Sequence, residues 1–168
     1  MQFIEIDKAR YRKHLNIVIA LSIAALVAGS LGISQVLIIL FPDESGSHFH
    51  WNLLGVVITC LVIGWQLNKY RNHSFMTEVV YVWQLKKALN QINRKILKLK
   101  AAARQGNIDA LTSLQFCYAG SRQLWHLDDN MITIDDLAVQ QAELNSIAEN
   151  FNLTLKAEDY NQSMLEQF

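Results

Sequence analysis

The chain has 168 residues, is 51% hydrophobic and 18% charged, and balances 15 Lys+Arg against 15 Asp+Glu. That length has room for one membrane element and one modest soluble domain. One proline and seven glycines argue against an all-β domain of tight turns, and two distant cysteines against a disulfide framework. The neutral total hides an uneven distribution. Residues 15–42 and 49–68 contain no charged side chain, so nearly all the charge lies elsewhere.

Residues 1–14 are read as a basic cytosolic segment carrying Lys8, Arg10, Arg12 and Lys13. Residues 15–41 follow as transmembrane helix 1. They span about 40 Å as a helix, more than the roughly 30 Å hydrocarbon layer needs, so the helix is tilted or its first turn is interfacial. The apolar run is too long for a cleaved signal sequence and reads as an uncleaved anchor. Residues 42–48 form a short periplasmic turn with Pro42 and Gly46, and residues 49–68 form transmembrane helix 2. Trp51, Trp65 and Tyr70 sit at its ends as interfacial aromatics do.

Four Lys/Arg precede the first span, none lies in the turn, and Lys69 and Arg71 follow the second. The positive-inside rule therefore puts both termini in the cytosol, and in a bacterium the turn would face the periplasm. Ser22, Ala25, Gly29 and Gly32 on the first span, and Gly55, Thr59, Cys60 and Gly64 on the second, are candidate helix-packing faces. Packing of the hairpin on itself is the simpler use of these faces; a partner or second copy is the alternative. Gln35 and Asn52 are candidates for a hydrogen bond between the spans. Neither span holds an ionisable residue deep within it, which weighs against a transporter.

Residues 69–168 are read as a cytosolic all-helical domain. A helix is expected from a cap at Ser74 to about Arg104. Val82, Leu85, Leu89, Ile92, Ile96, Leu99 and Ala103 repeat along it in a heptad-like, coiled-coil seam. Asn107 caps a second helix to about Leu127, with Ile108, Leu111, Leu114, Gln115, Tyr118 and Trp125 near one face. Asp128, Asp129 and Asn130 form a turn. Thr133 caps a third helix with Asp135 and Asp136 in its first turn and an apolar stripe of Leu137, Leu144, Ile147, Ala148 and Phe151. Asn152 ends it in the left-handed conformation, and a short terminal helix is expected over 158–166. The fold class is thus an all-α membrane protein: a two-helix hairpin, then a cytosolic helical bundle.

Charge divides this domain. Residues 69–104 hold nine Lys/Arg and one acid, Glu78, whereas residues 105–168 hold two Lys/Arg and ten acids. One reading folds the acidic helices back on the basic one. The other presents Lys86, Lys87, Arg94, Lys95, Lys98, Lys100 and Arg104 to anionic headgroups or a protein partner. The segment carries no nucleic-acid-binding motif.

No catalytic, cofactor or metal site is expected. His48 and His50 near Asp43 and Glu44 match no standard metal-ligand spacing. The acidic pairs 128–129 and 135–136 suit a turn and a helix start better than acid–base catalysis, and His126 beside Trp125 and the 158–160 triplet stand alone. There is no phosphate loop, dinucleotide fingerprint, nucleophile elbow or zinc-protease motif. The expected function is therefore non-enzymatic: an accessory, regulatory or scaffold protein with no small-molecule substrate. Its cytosolic helices would mediate self-association or dock onto a membrane complex. A small channel or transporter subunit of oligomerised hairpins, lined by Asn16, Ser22, Ser30, Ser34, Gln35 and Thr59, is the alternative.

The stretch 6–16 (IDKARYRKHLN), the hairpin, the basic helix after it and the late stretch 155–160 (LKAEDY) together resemble a gammaproteobacterial family catalogued as a domain of unknown function. The resemblance covers essentially the whole chain. It implies a Gram-negative inner membrane and brings no catalytic residues with it.

Overall fold

The computed structural model describes residues 3–42, 47–129 and 134–168, with no side-chain detail for Ile134 and Asp135. The described residues form six α-helices joined by turns and contain no strand: α1 Lys8–Leu40, α2 Phe49–Tyr70, α3 Thr77–Asn93, α4 Ile96–Ala103, α5 Ile108–Asp128 and α6 Ile134–Asn150. They divide into two compact units. One is 9–80, with most of α1 and all of α2; the other joins 1–8 to 81–168.

In the first unit, α1 begins at Lys8, so the basic residues 8–14 are helical as well. Its 33 residues reach about 50 Å and the 22 of α2 about 33 Å. Both helices are long and apolar enough to cross a membrane, with mean hydropathies of 2.3 and 1.4 over 18 residues. Only 6% and 11% of those windows are buried. Ile39, 76% exposed, and Leu61, 69% exposed, are typical of their outer faces. A helix apolar all round needs either a protein core or lipid, and these two have little core.

The second unit is built around α5. Its start follows the chemistry expected of it. Asn107 is extended and its Oδ1 accepts the Ala110 N–H at 3.0 Å. Just before it, Gly106 at φ +80° ends α4 in a Schellman turn, with Asn107 N–H donating to Ala102 O and Gly106 N–H to Ala103 O. A Cβ on Gly106 would also lie 2.6 Å from the Phe151 ring. α6 ends the same way at Asn152, φ +53°, where the Leu153 N–H donates to Ala148 O at 2.9 Å.

Three expectations need correction. The single helix over 74–104 is a short 3-10 turn, Ser74–Met76, followed by α3 and α4. His73 rather than Ser74 caps that turn, its Nδ1 accepting from Phe75 N–H. The break at 94–95 is a local tightening in which Lys95 N–H bonds Ile92 O, three residues back. Asn93, a weak helix former, stands just before it and accepts the Cys117 S–H. The terminal helix over 158–166 is instead two 3-10 turns, Ala157–Asp159 and Gln162–Leu165. The cap at Thr133, the turn residue Asn130, and Asp43, Glu44 and Gly46 lie outside the described residues.

The seam of α3 and α4 faces inward, with Val82, Leu85, Leu89, Ile92, Leu99 and Ala103 buried and Ile96 half-buried. The expected stripe on α5 is too narrow. Residues Ala110–Leu114 and Phe116–Tyr118 are buried on every side, whereas Ile108 is exposed. On α6, Leu137, Leu144 and Ala148 are buried, and Phe151 leans over Gly106.

Candidate functional site

Within the first unit, the hairpin seam is set by small residues. Thr59 and Gly55 on α2 and Ser34 on α1 are buried. A Cβ on Gly55 would come within 2.3 Å of Ser34 Oγ and 2.8 Å of the Ser30 carbonyl oxygen. A Cβ on Gly29 would lie 2.7 Å from Thr59 Cγ2. Glycine is what lets the backbones approach here. Two hydroxyls in the seam have partners: Thr59 Oγ1 donates to Gly55 O at 2.7 Å within α2, and Ser34 Oγ lies 3.4 Å from the Trp51 carbonyl across the hairpin. Phe41 stacks on Trp51 at 5.5 Å.

Of the residues singled out for packing, Gly29, Gly55 and Thr59 are therefore in the seam. Ser22 is half-buried, whereas Ala25, Gly32 and Gly64 are exposed, and a Cβ on either of those glycines would meet nothing within 4 Å. Gln35 and Asn52 are both exposed, and the bond across the seam comes from Ser34.

At the foot of α1, Arg10 Nε lies 2.9 Å from Glu78 Oε1 and His14 Nδ1 lies 3.3 Å from Glu78 Oε2. The Phe75 ring sits 4.1 Å from the His14 imidazole. Glu78, the lone acid of 69–104, thus joins the first turns of α1 to the start of α3. The sequence held a signal for this, one carboxylate facing a basic segment, but nothing that named its partners.

In the second unit, residues 3–8 are part of the helical domain. The Ile4 N–H donates to Tyr81 Oη, Tyr81 Oη donates to Gln123 Oε1, and Gln123 Nε2 donates to the Ile4 carbonyl at 2.7 Å. Lys8 pairs with Asp129. Phe3 packs at 5.1 Å on Phe116, which is fully buried and stacks at 4.3 Å on Tyr160 from the C-terminal segment. Both terminal segments thus meet at one ring.

The seven cations singled out above divide by partner. Lys86 pairs with Asp128 at 2.9 Å and Arg104 with Glu143 at 3.1 Å. Lys95 Nζ donates to Leu165 O, Lys98 Nζ to Phe168 O and Lys100 Nζ to Gln140 Oε1. Lys87 lies over the Trp83 ring at 5.6 Å, and Arg94 makes no such contact among the described residues. Exposed pairs of this kind add little stability individually, and only the Lys95 and Lys98 bonds among these reach the C-terminal segment.

Cys117, buried beside Asn93 and Ser121, is held as the neutral thiol: burial pushes its pKa from the ordinary 9.0 to about 11. A nucleophilic cysteine needs the opposite shift. Burial likewise raises the Tyr118 phenol to about 12. The described residues contain no cluster of three metal-ligating side chains.

The family model for proteins of unknown function, DUF3087, matches residues 1–165. The chain belongs to the DUF3087 family. This agrees with the resemblance to a family of unknown function, and the match runs from the N-terminal segment through the hairpin to the C-terminal turns. A search of curated proteins and a search of solved structures each returned no match.

Proposed function

We propose that this DUF3087 protein is a non-enzymatic adaptor of the bacterial inner membrane, anchored by the α1–α2 hairpin with both termini in the cytosol. Its helical domain would associate with a second copy or dock onto a larger membrane complex. The observation that carries this reading is that residues 3–8 and 81–168 build one domain, so the chain leaves that domain into α1 and returns to it after α2. Two crossings satisfy that geometry; one does not. The four Lys/Arg at the start of α1, with Lys69 and Arg71 after α2, set the side.

Two further observations support an anchor over a catalyst or pore. The carboxylates most suggestive of acid–base work are engaged structurally, Asp128 with Lys86 and Asp129 with Lys8. The serine and threonine hydroxyls offered as a pore lining include Ser34, which bonds the Trp51 carbonyl across the hairpin, and Thr59, which is buried against Gly29. Purification in nanodiscs with crosslinking in native membranes tests the adaptor role. The expected result is a crosslinked species larger than one chain that involves the helical domain. A strict monomer that recovers no partner would count against it.

A further inference from the structure

The partners of the basic residues leave one face of the helical domain unaccounted for. Along α3, the break at 94–95 and α4, Trp83, Lys87, Asn90, Arg94, Leu97 and Ala101 are all exposed and recur at gaps of 4, 3, 4, 3 and 4. This stripe lies opposite the buried seam. Trp83 is 62% exposed and Leu97 81%, large apolar side chains for the outside of a domain. No acid lies on the stripe. Among the described residues, Lys87 has the Trp83 ring as its one contact of this kind, and Arg94 shares a groove with Glu166 without an ion pair.

We propose that this face rests on the anionic phospholipid headgroups of a bilayer. Trp83 and Leu97 enter the interfacial layer, while Lys87 and Arg94 stay at phosphate level. Tryptophan, leucine and long cations on one helix face are the side chains that settle at that depth. The uncompensated positive charge gives the surface its preference for anionic lipid. Lys86, Lys95, Lys98, Lys100 and Arg104 are held by intramolecular partners, so the lipid-binding set is narrower than the basic composition of 69–104 suggests. Anchoring by the hairpin raises the local concentration of headgroups, so a short stripe is sufficient. The inference rests on the anchoring reading, whose failure shows separately as a chain that does not enter nanodiscs.

The test uses the full chain with Trp51, Trp65 and Trp125 replaced by Phe, in nanodiscs of phosphatidylcholine alone or mixed with phosphatidylglycerol. Brominated lipids should quench Trp83 severalfold more in the anionic discs. High salt, or Lys87→Glu with Arg94→Glu, should abolish the difference. If the reporter protein does not fold, acetylation of the unaltered chain followed by mass spectrometry replaces it. Lys87 should then react severalfold more slowly in anionic discs, with exposed Lys156 as the reference. Equal Trp83 quenching or equal Lys87 reactivity in both lipids would overturn the proposal. Protection that tracks the number of copies per disc, or that occurs only in native membranes, would also overturn it, assigning the face to a second copy or to another protein.

Discussion

Replacing Phe116 with alanine is expected to cost the helical domain about 3–5 kcal/mol, the range for removing a fully buried aromatic side chain. The cost should fall on both ends of the domain, because Phe3 and Tyr160 each pack on this ring. A cavity there removes the aromatic contact that each terminal segment makes with the core, and neither segment has a regular α-helix of its own. Hydrogen exchange of the full chain in nanodiscs should show protection lost together at residues 3–8 and 157–165, while α2 keeps its own. Loss at one segment alone would mean that the two are held independently of Phe116.

The second large effect is expected in the hairpin. Gly55→Ala places a methyl group against a backbone carbonyl at 2.8 Å, which no rotamer change relieves. Overpacking of that kind costs about 1–3 kcal/mol. Gly32→Ala is the matched control, since its Cβ would meet nothing within 4 Å. Gly29→Ala should be milder than Gly55→Ala, because its obstacle is the Thr59 side chain, which can turn. Disulfide trapping between cysteines introduced on the facing sides of α1 and α2 reads the separation. Trapping should fall for Gly55→Ala and stay unchanged for Gly32→Ala. Equal trapping in both would place the seam elsewhere.

Much of this architecture is legible in the residues because it depends on local chemistry. Long charge-free runs gave the two apolar helices, Gly106–Asn107 the end of α4 and start of α5, and Asn152 the left-handed end of α6. What was not legible depends on contacts distant in sequence. The N-terminal segment has too few residues for a periodic signal, so nothing in Phe3-Ile4 announces Tyr81, Phe116 or Gln123 as partners. α5 defeated a stripe reading because a helix enclosed on all sides carries apolar and small residues all round and loses its period. The heptad repeat of 82–103 is the spacing of a coiled coil, and here it serves α3 and α4, which pack on α5 within their own domain. The basic composition of 69–104 was plain, whereas its division into engaged and free cations required the acidic and C-terminal partners in three dimensions.

The clamp at Glu78 shows the same limit. Composition isolates it as the one acid among nine Lys/Arg, and its value lies in Arg10 and His14, more than sixty residues earlier. Such a contact ties the start of α1 to the start of α3, so it belongs with the hairpin geometry.

In the proposed topology α1 and α2 cross the membrane as a hairpin and return the chain to one cytosolic domain. Cysteine accessibility in intact cells measures this directly, in a background with Cys60 and Cys117 replaced by serine. Single cysteines would be placed at Ser47, between the helices, and at Glu5 and Asn161, on the two terminal segments. A membrane-impermeant thiol reagent added outside should label Ser47→Cys alone, and Glu5→Cys and Asn161→Cys only after the cells are opened. Outside labelling of Glu5→Cys or Asn161→Cys while Ser47→Cys stays protected, or of one terminal position without the other, would contradict the account.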